Sequence, residues 1–147
     1  MSPVQRAALR FCLLQGWAAL PEAVLPEGLR ADLWVLRPDG RFLILEAKSG
    51  PRDILADRKW PRYRAFCDRL YFAVDPAFPP ALLPQGVGVI VAEGAAGCLL
   101  REAPDHPLPP ARRRALLQRF ALAAGRRLAA LTDPDGLQEA RAALRAE

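Results

Sequence analysis

The chain has 147 residues, 52% of them hydrophobic, which suits one domain and supplies enough core to fold without disulfides or metal as props. No apolar run approaches the ~18 residues of a membrane span. The opening MSPVQRAALRFCLLQG also lacks the apolar core and cleavage pattern of a signal peptide, so a cytoplasmic protein without a membrane partner is expected. The formal charge of +5 favours a polyanionic partner such as nucleic acid, although GC-rich coding also yields arginine- and alanine-rich chains.

The first predicted element is a helix over 3–16, with Val4, Ala7, Ala8, Phe11 and Leu14 at helical spacing and Gly16 as its stop. A short strand around 20–25 follows, then an apolar hairpin over 31–48. Residues 51–69 read as helical, with Pro51 and Pro61 at first-turn positions, giving two helices or one kinked helix. LYFAV at 70–74 is an aromatic strand, the proline-rich 75–86 is irregular, and 87–92 and 98–101 are two further short strands. A helix over 111–131, a break at TDPDG and a last helix to 146 complete the chain.

The order predicts one mixed α/β domain: an N-terminal helix at 3–16, a core at 20–101 and C-terminal helices at 111–146. Cys12, Cys67 and Cys98 form no CxxC pair and His106 is the sole histidine, which disfavours zinc. The cysteines are expected as buried reduced thiols, and His106 as a surface residue.

The hairpin carries the chemistry. Its turn, RPDGR, suits a type I turn followed by Gly40 in the left-handed region, a three-residue loop with a G1 bulge. That loop pairs Arg37 with Arg41 and Leu36 with Phe42, and so on down to Asp32 opposite Glu46, with Lys48 two residues further on the same face. A two-residue loop would instead set Asp32 against Ala47. Facing carboxylates repel, and a divalent cation between them removes that penalty, with hard oxygen ligands suiting Mg²⁺ or Mn²⁺. Such an ion would neutralise a phosphodiester and hold an attacking water, while Lys48 would orient or help deprotonate that water or stabilise developing charge.

The bland alternative is a cross-strand Glu–Lys pair with a capping aspartate at a solvated sheet end. Both hairpin faces are otherwise apolar, with Trp34, Leu36, Phe42 and Ile44 on one and Leu33, Val35, Leu43 and Leu45 on the other. Charges there are costly and need a reason.

The RAD…EAK arrangement resembles the PD-(D/E)XK nuclease superfamily, whose restriction-endonuclease-like core is a mixed sheet flanked by helices. The longer run EAKSGPRDILADRKWPRYRAFCDRLYFAV, with LLPQGVGVIVAE and ARRRALLQRFA, is similar to the MmcB-like family of bacterial DNA repair proteins, from about residue 20 to 131. The resemblance implies Asp32 and Glu46 as metal ligands, the Ala47 carbonyl as a third, Lys48 as the catalytic lysine, and Glu22 as a candidate extra acidic ligand. Ala31 stands where the superfamily name expects proline, and EAKSG replaces EVKSS; neither change removes a functional group.

The same resemblance implies that Lys59 and Tyr63, one helical turn apart, assist at the phosphate or the water. Asp53 reads equally as a first-turn acid complementing the helix dipole, Asp57 as an ion-pair partner of a nearby base, Trp60 as a core anchor and Asp68 as a bridge under LYFAV. Arg112, Arg119 and Arg126 recur every seven residues, with Arg113 and Arg127 adjacent. They suit DNA phosphate contacts or a solvated basic face, opposite a buried stripe of Leu117, Phe120, Ala121, Ala124, Leu128 and Leu131. Three functions stay open: a Mg²⁺- or Mn²⁺-dependent deoxyribonuclease of DNA repair, a non-cleaving module that binds DNA or other repair proteins, or, third in order, a metal-dependent enzyme acting on another phosphodiester or nucleotide.

Overall fold

The turn at Arg37–Gly40 sets the register on which the sheet is built. Gly40 donates its N–H to Arg37 O at 2.9 Å and adopts φ 87°, and Arg37 N–H reaches Arg41 O at 2.9 Å. This is the three-residue loop, because only a residue tolerant of the left-handed region can follow the Pro38–Asp39 turn. Strand β2 (Arg30–Leu36) therefore pairs antiparallel with β3 (Phe42–Ala47) as Leu36↔Phe42 through Leu33↔Leu45.

A computed structural model describes residues 1–146 of the chain. Its six-stranded sheet runs β1 to β6 in chain order, adding β1 (Ala18–Val24), β4 (Arg69–Val74), β5 (Gly88–Glu93) and β6 (Ala96–Arg101). β3, β4 and β5 are parallel and the other neighbours antiparallel, so the sheet is mixed and flanked by helices as expected. The two parallel central strands β3 and β4 are buried on both faces and read as continuous apolar runs for that reason.

Helix α1 (Pro3–Leu14) starts where the Ser2 side chain accepts the Gln5 N–H at 3.1 Å, with Pro3 in the first turn. It packs on the face formed by Leu33, Val35, Leu43, Leu45, Tyr71 and Ile90. Its buried stripe is Gln5, Ala7, Ala8, Phe11 and Cys12, whereas Leu14, assigned to that stripe from its spacing, is 77% exposed. Gln5 joins that stripe because its amide finds two acceptors, the Glu22 carboxylate and the Asp32 carbonyl.

The opposite face, with Trp34, Phe42, Ile44 and Phe72, lies under residues 60–66. There the expected division into two helical segments, with Pro51 and Pro61 in their first turns, is met, and the second is 3-10 rather than α. An α-helix, α2 (Pro51–Ala56), stops after six residues, and Trp60–Phe66 is a 3-10 segment, with Trp60 edge-on to Phe72 at 5.7 Å. Pro61 has no N–H to give and disfavours the α conformation in the residue before it, so the helix cannot run through.

By internal packing the chain divides into two units, Met1–Leu108 and Pro109–Glu147. The second holds α3 (Pro110–Thr132) and α4 (Pro134–Ala146). On α3 the expected buried stripe is corrected: Leu117, Leu128 and Leu131 are exposed, and the buried positions are Leu116 and Phe120. Alanine, leucine and arginine sustain a helix by propensity alone, so apolar spacing there overstated burial. Cys12 and Cys67 are buried but Cys98 is exposed on edge strand β6, against the expectation of three buried thiols. His106 is exposed as expected. No helix among the described residues is long and apolar enough to cross a membrane.

Candidate active site

The β2–β3 ladder stops at Leu33↔Leu45, one pair short of the charged row. At the next position side chains replace the main-chain bonds. Asp32 N–H donates to Glu46 Oε1 at 3.2 Å, and Ala47 N–H donates to Asp32 Oδ2 at 2.8 Å. Glu46 is 5% exposed, on a face otherwise filled by Trp34, Phe42 and Ile44.

Burial pushes the Glu46 carboxyl up to about 9, helped by repulsion from Asp32 and by a hydrogen bond that keeps the proton on Glu46. Asp32 is raised too, chiefly by burial, and is partly relieved by the Ala47 N–H. In neutral solution the pair thus favours holding one proton between two oxygen-bearing groups, the place a hard cation would take.

Two carboxylates and a main-chain carbonyl are hard oxygen donors, the kind a magnesium-like ion takes. An extended residue presents its N–H and C=O on the same edge. The Ala47 N–H faces Asp32, so its carbonyl lies on that side and adds a third oxygen to two carboxylates. Among the described residues no group of three or more His, Cys, Asp or Glu is placed to hold a metal. Such an ion would keep several waters, as Mg²⁺ does and structural Zn²⁺ does not.

Lys48 leaves β3 two residues beyond Glu46, its N–H held by Ala73 O at 2.9 Å, and its side chain is 5% exposed. The ammonium donates to Asp57 Oδ2, stands 3.7 Å from Asp53 Oδ1, and lies 5.7 Å above the Phe72 ring. Burial alone would raise the Asp57 carboxyl, but Lys48 and the N–H groups of Lys59 and Trp60 hold it below the usual carboxylate range. Asp57 is the residue whose role its sequence context left at the level of a nearby ion pair: the base it meets is Lys48.

Glu22 sits at the register position opposite Asp32, where the β1–β2 pairing skips from Pro21↔Leu33 to Ala23↔Ala31. Its φ is 48°, uncommon for a residue with a side chain. Its carboxylate meets Arg30 Nε at 3.0 Å and accepts Gln5 Nε2 at 3.1 Å. Gln5, 6% exposed, also donates to Asp32 O at 2.9 Å, tying α1 to the charged row. Nothing in the pattern of the first helix marked Gln5, since a polar residue is buried there only because two acceptors await it. A cleft of about 450 Å³, lined by residues that include Gln5, Asp32, Ala47, Lys48 and Asp53, opens on this side.

Lys59 and Tyr63 are not on one α-helical face. Lys59 immediately precedes the 3-10 segment and is exposed, while Tyr63 is buried. The Tyr63 hydroxyl donates to Arg30 O at 2.9 Å. Burial and then the negative charges of Glu46, Asp32 and Asp57 raise its phenol, so it stays a hydrogen-bond donor. A second cleft of about 430 Å³ is lined by Lys48, Asp53, Asp57, Arg58, Lys59 and Tyr63, so Lys48 borders both openings. Arg112, Arg119 and Arg126 are exposed on α3 in the second unit, and Arg113 is half-buried beside them.

Asp68 serves the fold: its two oxygens accept Phe42 N–H at 2.7 Å and Leu108 N–H at 2.8 Å.

Fold and site together define an α/β protein with buried Glu46 and Lys48 and half-buried Asp32 in one row at one end of a mixed sheet. Residues 1–135 match the family described as DNA repair protein MmcB-like, and the chain belongs to that family. A solved structure, a protein of unknown function, SPO1766, from Silicibacter pomeroyi, is 41% identical. It matches with a TM-score of 0.85 over 92% of this chain and 95% of the other. None of the curated proteins matches.

Proposed function

We propose that this DNA repair family member is a metal-dependent deoxyribonuclease on the PD-(D/E)XK plan, with Asp32, Glu46 and Lys48 as its working set. The observation that carries the reading is the Asp32–Glu46 pair: a buried Glu46 that accepts the Asp32 N–H and a half-buried Asp32 that accepts the Ala47 N–H, both raised in pKa, with a buried lysine two residues on. Structural ion pairs do not need two carboxylates pressed together in an apolar face, whereas a cation site does.

Asp32, Glu46 and the Ala47 carbonyl would hold Mg²⁺ or Mn²⁺, with Glu22 a further acid close by. The ion supplies charge neutralisation at a phosphodiester and an acidified water. Lys48 brings a fixed positive charge to the developing phosphorane, Tyr63 supplies a protonated hydroxyl beside Glu46, and exposed Lys59 stands at the rim to meet a neighbouring phosphate. Contacts to phosphates rather than to base edges fit this residue set, and substrate choice by DNA structure or ends is the expectation.

The second reading is a module that binds DNA or a repair partner without cutting, favoured by the exposed arginines of α3, which require no catalytic centre. Labelled single-stranded, duplex, flap, nicked and cross-linked DNA, each offered with Mg²⁺, Mn²⁺ or EDTA, separates the two. Cutting that needs metal supports the nuclease. Salt-sensitive binding without cutting supports the module.

A further inference from the structure

We propose that Asp57 is the positioning residue of this site, the group that fixes the Lys48 ammonium relative to the segment carrying Lys59 and Tyr63. The inference rests on the nuclease reading and adds a residue that lies outside the Asp–Glu–Lys spacing.

The Asp57 carboxylate is divided between two tasks. Oδ1 accepts the N–H of Lys59 at 2.7 Å and of Trp60 at 3.2 Å, closing the turn between α2 and the 3-10 segment. That alone would account for an aspartate, since side-chain oxygens cap such turns. Oδ2 is not needed there, and it receives Lys48 Nζ. The pair is nearly out of solvent, with side chains 5% and 15% exposed, where an ion pair holds its geometry better than on a surface.

A lysine stem has four rotatable carbons and a point charge that chooses no orientation by itself. At Lys48 the ammonium lies over the Phe72 ring, and the charge needs an anchor to stay between the two clefts. Asp53 is a poorer anchor, at 3.7 Å, more exposed, and with its other oxygen taken by the Ser49 N–H at 3.2 Å. Asp57 also couples the lysine to the 3-10 segment. The turn that presents Lys59 to solvent is the turn whose oxygens hold Lys48, so a shift at one is felt at the other.

The test is a double-mutant cycle on single-turnover DNA cleavage, using the full chain, Asp57→Asn, Lys48→Met and the double variant. Asparagine keeps an oxygen for the two turn N–H groups and removes the charge from Lys48. Asp57→Asn is expected to slow the cleavage step about tenfold or more, with DNA affinity within about twofold. Asp57→Glu should recover part of the rate, and Asp57→Asn should cost Lys48→Met no more than about twofold. Losses that multiply in the double variant, or an Asp57→Asn rate equal to wild type, overturn the proposal.

Should Asp57→Asn melt below the assay temperature, Asp57→Ser, which also keeps an oxygen for the turn, takes its place. Urea unfolding of the same proteins reads the Lys48–Asp57 coupling without any cleavage. Coupling in stability with none in rate makes Asp57 a structural residue only and overturns the proposal. A wild type that cuts nothing overturns the nuclease reading itself, and the role of Asp57 with it.

Discussion

Asp32 and Glu46 face each other across β2 and β3, and each is bound through its carboxylate to an N–H on the other's strand. The consequence is a pH dependence of known sign. Glu46 holds its proton up to about 9 in the folded chain, against an ordinary 4.5, so the folded state binds a proton that the unfolded chain has released. Without metal, the Glu46 contribution to stability is therefore full below about 4.5, falls as pH rises through the window to about 9, and levels above it. The lowered carboxyls of Asp57 and Asp39 lose their own contributions only at the acid end. Urea unfolding in EDTA at stepped pH should show this fall, and Glu46→Gln should flatten it. A stability that rises across the window would contradict the arrangement.

Metal should reverse the loss. At pH 8, Mg²⁺ or Mn²⁺ at about a hundredfold above its Kd is expected to stabilise the fold by about 2.7 kcal/mol. Thermal melts measure it, and Asp32→Asn and Glu46→Gln should each abolish the shift. A shift kept by both variants would put the cation elsewhere.

Asp68 is expected to matter for stability alone. Asp68→Ala leaves the buried N–H groups of Phe42 and Leu108 without acceptors and should cost about 2–4 kcal/mol in urea unfolding. DNA cleavage at temperatures where the variant stays folded should continue. A loss of cleavage in the folded variant would mean that Asp68 reaches the site.

Gly40→Ala tests the turn that sets the register. The glycine has φ 87° and an added Cβ would meet nothing within 4 Å, so the cost is conformational, about 1 kcal/mol. A cost well above that would show that the side chain clashes in some state populated by the loop.

How far the sequence could be read follows from which contacts are local. RPDGR specifies its own turn, the turn specifies the register, and the register brings Asp32 opposite Glu46; each step needs only neighbouring residues. Gln5 and Asp57 were not legible in the same way. Gln5 is buried because Glu22 and Asp32 O, far along the chain, accept its amide. Asp57 acquires its role because the chain turns after Ala56 and returns it to Lys48. Helical spacing misled at Leu14, Leu128 and Leu131, where periodicity reports a face but not what covers it. It misled again at Lys59 and Tyr63, read as one helical turn apart, because Lys59 precedes the segment and that segment is 3-10.

Asp32, Glu46 and Lys48 are proposed to form one metal-dependent cleavage centre. Single-turnover cleavage of the preferred DNA substrate in Mg²⁺ tests it, comparing wild type with Asp32→Asn and Lys48→Met, both first shown to be folded. The account expects cutting by wild type that EDTA abolishes and that each variant loses by about a hundredfold or more. Cutting that persists in both variants, or wild type that binds DNA but leaves every substrate intact, would contradict it.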